Sequence, residues 1–224
     1  MVETQTLQLT FTTWSDETGD REDPEFYQPE YLALENSLMR QQALRLDELV
    51  NFGQQVWTPS KSEQPFLYID IASVNIRTGD IQAIEIPELE APSRARKKVR
   101  TGDLLVSTVR PERNAVGLIA AELDGAVCST GFAVLKPKVG IDPFCLYPFL
   151  KSRFFIMQAV RRSTASMYPA VAEESLRDIW VPRQIVESGA RISKLMLNAF
   201  ETQKKFLAQM RELELNVEAL VSST

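Results

Sequence analysis

The chain has 224 residues, 44% of them apolar and 25% charged, with a formal net charge of −5 and no histidine. That length gives one ordinary domain with an appendage, or two small domains. Without histidine, a Ser-His or Cys-His nucleophilic site is excluded within these residues, and with only two cysteines an ordinary structural zinc site is excluded as well.

Residues 1–27 are polar and acidic around SDETGDREDP and read as an extended arm. In PEYLALENSLMRQQ, the residues Tyr31, Leu32, Leu34, Leu38 and Met39 recur at helical spacing behind Pro29. This predicts an amphipathic helix of about 12 residues. LDELVNF follows as a short turn of helix stopped at Gly53. From residue 66 the period shifts to two. FLYIDIASV and IQAIEI read as strands about a TGD turn. PELEAPSRARKK is rich in proline and charge and reads as a surface loop or short helix. VRTGDLLVSTV, NAVGLIAAEL, AVCST and GFAVLKP read as further strands. PFCLYPFLKSRFFIMQAVRRS reads as one helix, with Asp142 as its N-cap and Pro143 at its first position. SLRDIWVPR reads as a last short helix-then-strand unit. Cys128 and Cys145 lie in apolar contexts and read as buried free thiols in a reducing compartment.

The C-terminal segment has a different periodicity. With Met196, Gln203, Met210 and Val217 at position a, the d positions hold Ile192, Ala199, Phe206, Leu213 and Leu220. A seven-residue apolar repeat over about four heptads is a coiled-coil seam. Phe200, Leu207 and Val221 widen it. The predicted helix of about 33 residues spans about 50 Å, more than a domain of this size covers, so a second helix is expected to bury the remainder. Gln203 is the kind of polar a residue that fixes register.

Charge is unevenly distributed. Residues 1–65 hold 12 acidic and 4 basic residues, residues 66–183 hold 13 and 16, and residues 184–224 hold 5 of each. The middle segment alone is net positive, and local patches set what a surface attracts. No apolar run reaches the roughly 18 residues of a membrane helix, and the first residues lack a secretory leader pattern. A cytoplasmic location without membrane contact is expected. No Gly-rich phosphate loop and no DxD or ExxE in a helpful context suggests a catalyst or a cofactor site. Neither a metal nor a cofactor is expected.

Read in order, FLYIDIASVNIRTGDI, VRTGDLLVSTVRPERNAVGLI, LDGAVCSTGFAVLKPK, DPFCLYPFLKSRFF and SLRDIWVPRQ resemble the target recognition domain of specificity subunits from type I restriction–modification systems. The resemblance covers residues 45–224. It implies an α+β fold, in which a mixed, short-strand recognition domain with flanking helices precedes a long C-terminal coiled-coil helix. The divisions expected are an arm over 1–27, the recognition domain over 28–186 and the helix over 187–224. Complete family members are similar to two such domains in tandem, whose helices pair antiparallel as a spacer. This chain is similar to one half, which implies a homodimer through the C-terminal helix. The family is not catalytic. It delivers an adenine-specific DNA methyltransferase, and in some systems a restriction subunit, to bipartite sites on double-stranded DNA. The acidic arm has no counterpart in that pattern.

Base edges are read by forked donors and acceptors, and phosphates are held by Lys, Arg, Ser, Thr and backbone N–H groups. Three groups of candidates follow. Arg94, Arg96, Lys97, Lys98 and Arg100 are the densest basic run, against the alternative of a solvated loop. Arg110 and Arg113 flank Pro111 on a strand connector suited to base reading, against the alternative of salt bridges to Glu112 or Glu122. Arg161, Arg162, Ser163 and Ser166, with Thr164 among them, suit a phosphate clamp. Trp14, Trp57 and Trp180 read as packing residues. Two other function classes stay open at this point: a coiled-coil adaptor that keeps the fold but binds protein, and an enzyme using carboxylates.

Overall fold

The computed structural model describes residues 23–53, 56–60, 62–164 and 167–222. The arm up to residue 22, with Trp14, and the candidate Ser166 lie outside the described residues. Helix α1 (Pro29–Arg40) opens on a proline at its first position, as predicted, and is followed by β1 (Leu44–Arg45), α2 (Leu46–Leu49) and β2 (Val50–Phe52). The strands β3 (Pro65–Ile69), β4 (Ile84–Pro87), β5 (Ala95–Lys98), β6 (Leu104–Ser107), β7 (Val116–Leu118), β8 (Val127–Ser129) and β9 (Phe132–Pro137) come next. Helices α3 (Pro143–Leu150) and α4 (Arg153–Arg161) precede β10 (Ser163–Thr164), β11 (Ala170–Val171), α5 (Glu173–Leu176) and β12 (Trp180–Val181). Helices α6 (Arg183–Glu187) and α7 (Gly189–Ser222) complete the chain.

Two four-stranded sheets stack against each other, ordered β2-β9-β6-β7 and β4-β3-β8-β5. Strand pairs are antiparallel except β3 with β8. β6 is central, and all four of its residues are buried. The pleat explains why this strand shows no polar alternation. Leu105 faces the inter-sheet core with Phe132, Val134 and Ile69, while Leu104 and Val106 face the helices with Ala133, Leu135 and Leu146. The molecule is thus layered as helices, sheet and sheet.

Three predicted elements differ in the structure. LDELVNF is helical only over Leu46–Leu49, and Val50–Phe52 is strand β2 paired with β9, not helix up to Gly53. PELEAPSRARKK ends in strand β5, not a loop. Among the named strands β5 pairs only with β8, its other side meeting residues 56–57 through a Val56–Lys97 bridge and Trp57 N–H donating to Arg96 O at 2.6 Å, and basic residues are at home near such an edge. The expected single helix after Asp142 is two helices. The Asp142 carboxylate accepts the Phe144 N–H at 2.9 Å as foreseen, but Ser152 is extended and caps a new helix by accepting from Phe155 N. Tyr147 of α3 reaches under the TGD turn, its hydroxyl donating to Thr78 O at 3.3 Å. Gly79 has φ +74, and a Cβ there would lie 1.7 Å from that hydroxyl, so the turn tolerates only glycine. Cys128 and Cys145 are buried free thiols, and Trp57 packs on Phe66. No helix among the described residues is long and apolar enough to cross a membrane.

Candidate nucleic-acid interface

One edge of the domain is assembled from four segments distant in sequence and joined by main-chain hydrogen bonds. Arg94 O accepts Thr130 N–H at 2.8 Å. Thr108 N donates to Gly131 O at 2.8 Å, and Thr108 O accepts Val171 N–H at 2.9 Å. Arg110 N donates to Pro169 O at 2.7 Å, next to a bridge between Val109 and Ala170. Arg94 and Thr130, the RPER connector between β6 and β7, and Met167 and Tyr168 before β11 therefore stand in one row.

The connector is a one-turn 3₁₀ segment, Pro111–Arg113, between two left-handed residues: Arg110 at φ 50, ψ 60 and Asn114 at φ 52, ψ 49. Asn commonly adopts that conformation, but arginine seldom does. At its far end the turn is held by Asn114 Nδ2 donating to Leu150 O at 3.2 Å, and by Lys151 Nζ donating to Asn114 O at 3.1 Å. Burial lowers the Lys151 ammonium below the usual lysine range. The Arg110 guanidinium lies 5.1 Å from the centre of the Tyr168 ring. Among the described residues no carboxylate stands at ion-pair distance from Arg110 or Arg113, so the expected alternative of a bridge to Glu112 or Glu122 is not what holds them.

The basic run 94–100 is not one cluster, because β5 extends it across the sheet at about 3.3 Å per residue. Arg94 joins the row just described. Arg96 is half-buried and donates to Ala95 O at 3.0 Å. Lys97 turns inward, with Nζ 2.6 Å from Glu173 Oε2 and 2.8 Å from Phe132 O. Lys98 is half-buried with no carboxylate partner among the described residues. Arg100, at the opposite end, pairs with Asp124 at 3.1 Å. Asp124 is held below the usual carboxylate range first by the Thr101 N–H and then by Arg100.

Of the expected clamp, the fold turns Arg161 and Arg162 inward, away from a phosphate. Both Arg161 and Arg162 are buried and end on the Glu35 carboxylate of α1. Arg161 also donates to Phe26 O at 2.8 Å and stacks 4.1 Å over the Phe26 ring, and Arg162 donates to Asp178 O at 3.1 Å. Ser163 donates to Val160 O at 2.7 Å. These arginines fasten the N-terminal helix to the domain and face no solvent. The acidic partner lies too far away in sequence to have been foreseen.

Helix α7 runs 34 residues and has two apolar faces. Ile192, Met196 and Phe200 pack on the domain, Phe200 at 5.9 Å from Phe144 and 5.4 Å from Tyr147. Gln203 is half-buried in the cleft on that side. Turned about 70° round the helix, Leu195, Ala199, Phe206, Met210, Leu213, Val217 and Leu220 are exposed, at spacings of three, four or seven. Of the expected seam, Ile192, Met196 and Gln203 thus belong to the domain side. Ala199, Phe206, Met210, Leu213, Val217 and Leu220 lie on the free face, which Leu195 extends.

Sequence reasoning overlooked Leu195, Thr130, Met167 and Tyr168. Only the exposure of large apolar side chains, visible in three dimensions, marks the last two.

No protein-family model matches the sequence. The chain is 28% identical over 153 residues to the type I restriction enzyme HindI specificity subunit of Haemophilus influenzae, a match spanning 65% of this chain and 30% of that protein. Its fold is similar to a chain from a study of complex assembly and conformational transition in the type I R-M system, with TM-score 0.61 and 29% identity, over 77% of this chain and 46% of that one. It is also similar to the HsdS subunit from Thermoanaerobacter tengcongensis, with TM-score 0.59 and 28% identity, over the same shares. The chain spans less than half the length of these relatives. Sequence and fold agree with the motif order GDLLVS, STGFAVLKP and DPFCLYPFL, and in both the chain is similar to type I specificity subunits over less than half the length of each.

Proposed function

We propose that this chain is a non-catalytic DNA reader that recognises one half of a bipartite duplex site, pairs with a second copy through the free face of α7, and positions an adenine methyltransferase in the cytoplasm. The observation that carries the reading is the row of Arg94, Thr130, Arg110, Arg113 and Tyr168 along one rigid edge. Main-chain bonds fix that edge, so its side chains meet a ligand with little ordering cost. Arg110 and Arg113 are the base-reading candidates, with Arg94 and Lys98 as phosphate contacts.

Two helices that bury the free stripe of α7 against each other remove on the order of 1,500 Å² from water, the size of a stable interface. The net charge of −5 leaves little attraction for DNA by charge alone, so the methyltransferase supplies much of the phosphate contact. The test is methylome sequencing of cells carrying the chain with an adenine methyltransferase subunit encoded beside it. A bipartite motif, lost on Arg110→Glu with Arg113→Glu while the complex still assembles, is the expected result. A complex that assembles but never methylates a defined motif would favour the protein-only adaptor.

A further inference from the structure

We infer that Tyr168 is a positioning residue for Arg110, and that the two hairpins bearing them act as one reading head. This rests on the DNA-reading function proposed above.

Met167 is 81% exposed and Tyr168 66% exposed, adjacent large side chains on the connection between β10 and β11. Neither contributes to the core. The Tyr168 ring instead faces the Arg110 guanidinium, 5.1 Å from its centre. The backbone brings the two residues side by side, because Arg110 N–Pro169 O, the Val109–Ala170 bridge and Val171 N–Thr108 O lock the two hairpins together. Arg110 itself sits in a left-handed conformation that a glycine or asparagine would adopt more readily. Backbone strain of this kind, here at a half-buried arginine, clusters at ligand-binding and active sites.

The stack has a geometric consequence. A guanidinium is planar and carries its donors in that plane. Held 5.1 Å from a ring centre, the guanidinium loses rotational freedom while keeping its planar N–H fork for a ligand. A paired donor edge held in this way fits two neighbouring acceptors, such as O6 and N7 of a guanine in the major groove. Among the described residues no carboxylate competes for that edge. Lysine would keep the charge and lose both the stack and the fork.

The experiment compares methylated motifs in cells carrying the methyltransferase complex with Arg110→Lys, Tyr168→Ala, Tyr168→Leu, Tyr168→Phe, and Arg110→Lys combined with Tyr168→Ala. Arg110→Lys, Tyr168→Ala and Tyr168→Leu should each relax the choice at the same base pair, by about ten- to a hundredfold in discrimination. Tyr168→Phe should keep the wild-type motif, and the double variant should be no worse than Arg110→Lys alone. Relaxation at different base pairs, a uniform drop across all sites, or an unchanged motif for Tyr168→Ala overturns the inference and leaves the reading function standing. A wild-type complex with no motif at all overturns the reading function first.

Discussion

Glu35 and Arg161 meet in a buried ion pair although 126 positions separate them in the chain. The same carboxylate receives Arg162, so a single acidic side chain of α1 neutralises part of a doubly charged pocket. Removing its charge takes an ion-pair partner from both buried guanidiniums at once.

Glu35→Gln should therefore destabilise the protein by about 3–5 kcal/mol, the cost of breaking a buried pair from one side. The measurement is urea unfolding followed by tryptophan fluorescence. A loss below about 1 kcal/mol would show that water reaches the pocket.

The two faces of α7 separate folding from assembly. Leu213→Asp, on the free face, should give monomers of unchanged melting temperature, whereas Met196→Asp, packed on the core, should unfold the domain. Light scattering together with thermal melting distinguishes them. A Leu213→Asp protein that stays dimeric would place the interface elsewhere.

Lys97 and Lys98 are neighbours with different surroundings, the first paired with Glu173 and the second without a carboxylate partner among the described residues. Lys97→Ala strips the partner from a largely buried Glu173 and should cost about 1–3 kcal/mol of stability. Lys98→Ala should leave stability unchanged and lower the salt slope of DNA binding by the complex by about one unit. Denaturation curves and salt titrations of the two variants provide the check.

Burial pushes the Cys128 thiol up to about 12 and raises that of Cys145 as well. Since only the thiolate reacts, a disulfide reagent at pH 8 should titrate no rapidly reacting thiol in the native chain and two after unfolding. One fast thiol in the folded protein would mean that the α3 end opens to solvent.

The parts legible in the sequence were those governed by local periodicity. α1, the strands from residue 66 to 137 other than β5, the Asp142 cap and the length of α7 all follow from spacing and turn residues. β5 was hidden, since an edge strand reading ARKK shows no apolar alternation. The break at Ser152 was hidden by a continuous apolar run through two helices. The turn that carries Arg110 and Arg113 was legible because a short basic connector between strands is a local signal. The fates of Lys97, Arg161 and Arg162 were decided by Glu173 and Glu35, which only the fold brings near. The heptad count placed most of the free seam correctly but could not tell which of two adjacent apolar stripes the domain itself would claim.

The contacts that hold the RPER turn involve Arg110 N, Thr108 N and O, the carbonyl of Asn114 and its amide. None of them uses the side chain of Glu112 or Arg113. The turn needs no side chain at those two places, only the Arg113 N–H that donates to Arg110 O at 2.9 Å, so on the proposed reading their side chains can vary without renegotiating the stability of the domain. The frame and the text are separable, and selection can edit one while the other stays fixed.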